Sequence, residues 1–313
     1  MLLYVLRRLG TGLVLAVLVT LITFLLLAPS FDGIAGNRLG PAATPEAVRA
    51  LKAELGFDRP LPVQYLDWLV HAARGDLGTS LFTGEPVAHT ILQRFGVTMS
   101  IVVVALLVTV VISVALGVLA ASRGGAVDRV AQGASLAGNL FPSLLLAIVL
   151  VYVLSVRGDL LPATGFTPLS ADPLRWAGSI TIPVIALVAT GIAGLTAQVR
   201  GTMVDELRKD YVRTLRTRGL SARSVVLRHA LRNAAGPALT VLSFEFISML
   251  GGALVIESIF AIAGFGGYAF ESSLQGDVPA IMGITLFAVL LVVTVNLAVD
   301  LVNGWLNPKA RIF

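Results

Sequence analysis

Long apolar runs separated by short polar stretches dominate the chain. Six runs reach the roughly 20 residues that a helix needs to cross a bilayer. They cover residues 9–28, 97–121, 130–156, 180–199, 237–263 and 279–299. The pattern predicts an all-α integral membrane protein with six transmembrane helices. The first run follows Arg7 and Arg8, as the core of a cleaved signal would, but it is longer than the 7 to 15 residues usual for such a core and reads as a retained span. Between the first two runs, "TPEAVRALKAEL" predicts a helix: Thr44 can cap, Pro45 suits the first position, and Ala47, Leu51 and Leu55 recur every four residues. Asp76, Gly78 and Gly84 mark turns beyond it. Two domains are expected, residues 1–96 and a core of 97–313, with a loop over about 200–236 between the fourth and fifth spans.

Composition agrees with the pattern: 56% of the residues are hydrophobic and 13% charged, and the mean hydropathy is +0.89. With no cysteine and three histidines lacking ligand spacing, nothing predicts a metal or redox centre. The formal charge of +5 is placed by topology. Six spans put both termini on one side; that side then carries 15 of the Lys and Arg residues, against 2 in the short loops opposite. The positive-inside rule makes the termini cytoplasmic and the long segment over 29–96 extracytoplasmic.

One cytoplasmic stretch concentrates that charge. From Arg213 to Asn233, "RTLRTRGLSARSVVLRHALRN" holds six arginines and no acid. Gly219 can end one helix in the left-handed conformation and Ser221 can cap the next. Ala222, Val225, Val226, His229 and Ala230 then share one face. A lipid anchor, a helix-turn-helix reader of DNA and a dock for a protein partner would all use such charge. DNA reading also needs a packed third element, and an anchor does not account for the hinge or the stripe. A dock does, with the apolar face filling a groove and the charges forming its rim.

The same stretch, extended to "DYVRTLRTRGLSARSVVLRHALRNAAGP", resembles the cytoplasmic loop of ABC importer permeases in the dipeptide, oligopeptide and nickel branch. "MLLYVLRRLG", "ELGFDRPLPVQYLDWL", "GDLGTSLFTGEPV", "GGALVIESIFAIAGFG" and "VNLAVDLVNGWLNPKARI" extend the resemblance over essentially the whole chain. Leu215 departs from it, standing where the family has a small residue, as does Gly236, standing where it has a bulky one. The resemblance implies a permease subunit that pairs with a second permease, with cytoplasmic ATPase subunits and an extracytoplasmic solute-binding protein. It implies that Arg213, Thr214, Gly219, Leu220, Ser221, Ala222, Val225, Val226, His229, Ala230 and Leu231 couple to the ATPase. The substrates implied are short peptides, with nickel chelates or another small solute as the alternative. No G-x-x-x-x-G-K-[ST] loop occurs, so the chain is expected to be no enzyme and to bind no cofactor; ATP and Mg would belong to the partner ATPases.

Within the spans, Glu245 and Glu257 each cost about 2 to 3 kcal/mol unless they face a cavity or a partner. Glu245 lies deeper, where the family is expected to carry glutamine, and is read as lining the translocation path and meeting a substrate amino group. Interfacial snorkelling or a structural hydrogen bond is the competing reading for Glu257, and a protonated or paired structural glutamate is that for Glu245. Gly251 and Gly252 permit close helix approach or a bend. Asn139, Pro142 and Ser143 predict a kinked, partly polar face in the third span, and Gln198 is a further path candidate. A secondary carrier would call for inverted repeats, a membrane enzyme for a nucleophile and base inside the spans. A scaffold or sensor would use the basic loop as an effector surface.

Overall fold

The structure, a computed structural model, describes residues 2–140 and 142–306; among these, the side chains of 2, 3, 42, 131, 134–140 and 306 are not described. Rather than dividing once at residue 96, the described residues form two compact units, one drawn from 1–96 and 264–294 and the other from 97–263 and 295–313.

In the first unit, helix α1 (Leu2–Leu27) carries the first apolar run. Three short helices follow, α2 (Phe31–Leu39), α3 (Pro45–Glu54) and α4 (Leu61–Ala73). Thr44 caps α3 as its sequence predicts, its hydroxyl accepting from the Ala47 N–H at 3.2 Å. Phe24, Phe31, Ile34, Tyr65, Val278 and Met282 form a buried core for these helices. The Phe31 and Phe57 rings stack at 4.2 Å, and the Tyr65 hydroxyl donates to the Val17 carbonyl at 2.8 Å. The turn expected at 76–84 is present: Asp76 accepts from the Gly78 N–H at 2.9 Å, and Gly78 and Gly84 hold φ of 82° and 71°. Asp277, buried just before the last long helix, accepts from the Ser80 hydroxyl and from the Leu81 N–H at 3.1 Å. That carboxylate ties the turn down and satisfies backbone donors that would otherwise be orphaned.

The second unit takes most of α5 (Val87–Arg123), then α6 (Gly125–Leu140), α7 (Ser143–Leu150) and α8 (Pro173–Leu207). The basic loop supplies α9 (Asp210–Thr217) and α10 (Ala222–Ser224); α11 (Leu231–Ile259) follows. Helix α12 (Phe265–Gln275) and the first part of α13 (Val278–Leu306) return to the first unit. Five helices among the described residues are long and apolar enough to cross a membrane.

The expected third span is the departure. Residues 130–156 are not one helix: α6 ends at Leu140, Pro142 adopts φ −56° and ψ 134°, and α7 restarts at Ser143 before widening into a π-helical stretch over Val151–Arg157. Proline has no N–H to give to the preceding turn and pushes the residue before it out of the α region. The sequence's kink is therefore a break. A second departure follows the basic loop, where α10 passes through a π-helical turn (Val225–Ala230) directly into α11. Neither glycine nor proline interrupts residues 222–235, and Pro237 removes one hydrogen bond without ending the helix.

Helices α5 and α8 meet where a side chain is missing. A Cβ on Gly117 would lie 2.8 Å from Val199 and 3.0 Å from the Arg200 amide nitrogen. The neighbour is backbone and cannot move aside. Gly117→Leu is expected to lower the thermal midpoint of the solubilised protein, with an overpacking cost of about 1 to 3 kcal/mol. An unchanged melting profile would refute the close approach. Nearby, the Arg200 guanidinium pairs with Asp128 through its Nε, which donates to Oδ1, and its Nη2, which donates to Oδ2 at 2.6 Å, and holds the Asp128 carboxyl below its ordinary range.

Candidate functional site

The basic loop is built by local chemistry and braced from below. Gly219 takes φ +83°, and its N–H donates to the Arg216 carbonyl at 3.0 Å, while the Leu220 N–H reaches the Leu215 carbonyl at 3.2 Å. Together these close the last turn of α9 in the manner a left-handed glycine permits. Ser221 caps α10 by accepting from the Ser224 N–H at 3.3 Å. Both hinge residues thus do what their types predict.

The brace was not legible in advance. Glu206, buried near the end of α8, accepts from the Lys209 ammonium and from the Tyr211 hydroxyl, the latter at 2.9 Å. The Asn233 amide donates to the same Tyr211 oxygen at 3.2 Å. One carboxylate therefore ties the end of α8 to α9 and, through the phenol, to the start of α11. The Glu206 carboxylate raises the Lys209 pKa, and burial raises that of Tyr211. The Glu206–Lys209 spacing of three residues was the one visible signal; the reach to Asn233 needs the fold.

The apolar stripe turns inward, which corrects the picture of a face offered to a partner's groove. Val225 and Ala230 are fully buried, and Val226, His229 and Leu231 are half-buried. Ala230 belongs to a core with Val118, Leu195, Val199, Met203 and Ala234, against which Val226 and Leu231 pack. The physical reason is local: the stripe continues into α11 without a break, so the packing that seats α11 on α8 also seats the stripe. What the loop exposes is Arg213, Thr214, Gly219, Ser221 and Ala222, with Leu220 half-buried. Leu227, absent from the sequence-based set, is 47% exposed between exposed Arg223 and Arg228.

The membrane-embedded candidates divide. Glu257 is fully buried and accepts from the Thr98 hydroxyl, the structural bond named as its competing reading. Glu245 is half-buried and packs on α8, where a Cβ on Gly194 would lie 3.1 Å from its Oε1 and one on Gly191 3.3 Å from its Oε2. Gly252 lies on the same seam, its absent Cβ 3.1 Å from Leu187. Gly251 is exposed, and Ser143 and Gln198 are half-buried. The Asn139 side chain lies outside the described residues.

Residues 113–312 match the family described as binding-protein-dependent transport system inner membrane component, and residues 1–102 match the N-terminal region of such membrane components. A probable peptide ABC transporter permease of Sinorhizobium fredii is 34% identical, over 98% of this chain and 99% of its own length. The dipeptide transport system permease DppB of Escherichia coli is 32% identical, over 99% of each. The chain belongs to the family of binding-protein-dependent transport system inner membrane components. Among solved structures, a chain from the inward-facing MetNI methionine ABC transporter shares the fold, with a TM-score of 0.54 at 13% identity over 69% of this chain and 96% of that one.

Proposed function

We propose that this chain is a permease subunit of an ATP-driven ABC importer in a bacterial cytoplasmic membrane. It forms half of a path for short peptides handed over by an extracytoplasmic binding protein. Both termini are cytoplasmic, and residues 130–156 make the third of six crossings as a broken helix. The other half of the path is a second permease of similar sequence. Cytoplasmic ATPase subunits, holding ATP and Mg, supply the energy, and this chain holds no cofactor.

The observation that carries this reading is the braced basic loop. An exposed surface bearing Arg213, Arg223 and Arg228 stands on a hinge whose two flanks are tied to α8 and α11 through Glu206, Tyr211 and Asn233. A push on that surface reaches two membrane helices at once, which is what coupling requires. The peptide assignment rests on the names of the full-length relatives. It is tested by identifying, through mass spectrometry, the ligand that copurifies with the cognate binding protein.

The docking claim has its own test. Leu227 stands exposed among arginines, the arrangement of an apolar anchor with a charged rim. Leu227→Asp is expected to reduce recovery of the ATPase subunits with the solubilised permease by about tenfold or more, while the permease still inserts. ATPase recovery equal to that of the unaltered chain would place the contact elsewhere.

A further inference from the structure

Glu245 sits in a notch rather than merely in a span. Gly191 and Gly194, three residues apart on α8, carry no side chain where one would meet its two carboxylate oxygens at 3.3 and 3.1 Å. The same missing Cβ of Gly191 would lie 3.2 Å from the Thr109 γ-methyl and 2.8 Å from Met249 Cε. Three helices, α5, α8 and α11, therefore converge on this carboxylate. Thr109 is fully buried, and its hydroxyl oxygen has no hydrogen-bond partner among the described residues. No hydrogen bond or ion pair among them reaches the Glu245 carboxylate, which is half-buried and so open on one side.

Those features describe a recognition element more closely than a packing one. A structural carboxylate at membrane depth is paired, as Glu257 is with Thr98. Glu245 is instead set against glycine backbone, which fixes its position by contact and offers at most weak Cα–H contacts to its charge. A carboxylate with no partner, held against rigid helices, suits a ligand that brings positive charge and N–H donors.

The geometry points to a binding site for a primary ammonium group, formed by Glu245 on the glycine notch of α8. It meets the free amino end of a solute inside the membrane. This rests on the importer reading above and deepens it: the permease itself, and not only its binding protein, would select for a free amine. Gly191 and Gly194 position the carboxylate, and any side chain at either would displace it.

The test uses the assembled transporter in proteoliposomes with its binding protein, and two probes, dialanine and N-acetyl-dialanine. A hydrophobic carbodiimide labels intramembrane carboxyls, and the modified peptide is quantified by mass spectrometry. Dialanine is expected to slow labelling of Glu245 several-fold, and N-acetyl-dialanine to leave it unchanged. In parallel, Glu245→Gln is expected to lower dialanine import about tenfold or more, with Glu245→Asp recovering part of it. Equal protection by the two probes, or import by Glu245→Gln within about twofold of the unaltered transporter, overturns the inference while leaving the importer reading intact. Failure of the unaltered transporter to import dialanine overturns the peptide reading, and this inference with it.

Discussion

Glu206→Ala is expected to separate ATP hydrolysis from transport. The substitution removes the acceptor for both the Lys209 ammonium and the Tyr211 hydroxyl. Asn233 then holds a phenol that nothing anchors to α8. Loss of an acceptor that serves a charged donor costs about 1.5 to 3 kcal/mol. The exposed Lys209 end of the network contributes less than that figure implies, because solvent screens it. The loop is still held by the buried Val225 and Ala230, so the permease should insert and assemble. What loosens is the link by which motion of α9 reaches α8 and α11. Import driven by the loaded binding protein is therefore expected to fall by about tenfold or more at a given rate of ATP hydrolysis. Glu206→Gln keeps an acceptor for Tyr211 and should restore part of the ratio, a recovery that general destabilisation would not produce. An import-to-hydrolysis ratio unchanged in Glu206→Ala would show that the brace carries no signal.

The parts of this fold legible in the sequence are those decided within a few residues. Apolar length located the long helices because the bilayer sets that length. Thr44, Gly219 and Ser221 announced their caps because capping depends on one side chain and one backbone angle. Pro142 marked trouble in the third span, but whether a proline kinks or breaks a helix depends on whether neighbouring groups take up the freed carbonyls. The apolar stripe of the basic loop was legible and its direction was not. Periodicity states which residues share a face, and Val225, Val226 and Ala230 do; it is silent on whether that face meets a partner or the chain's own α8. The Glu245 notch was half legible. A carboxylate in an apolar run stands out, whereas Gly191, Gly194 and Thr109 look ordinary until the helices are placed side by side. Close approach at an isolated glycine is a property of two helices, and one sequence window holds only one of them.

The largest loss of stability is expected at Gly276, where two independent penalties meet. The residue ends α12 in the left-handed conformation, φ 71° and ψ 36°, with its N–H donating to the Ser272 carbonyl. A side chain there costs about 1 to 2 kcal/mol from the backbone alone, and more for a β-branched one. A Cβ would also lie 2.7 Å from Ile34 Cγ1 and 3.2 Å from its Cδ1. Ile34 cannot step aside, because it is buried among Phe24, Phe31 and Tyr65. Overpacking of that kind adds about 1 to 3 kcal/mol. The next residue is Asp277, whose carboxylate holds the turn at Ser80 and Leu81, so a displaced backbone at 276 also disturbs a buried polar contact. Gly276→Val should therefore destabilise by roughly 2 to 5 kcal/mol, read as a large drop in the thermal midpoint of the detergent-solubilised protein. Gly276→Ala should cost less. Pairing Gly276→Ala with Ile34→Ala separates the penalties: the room created at Ile34 relieves the clash and leaves the backbone strain. The double variant should then be more stable than the sum of the two single changes. Strict additivity would mean that no clash exists, and a full return to the stability of Ile34→Ala alone would mean that the left-handed backbone carries no cost.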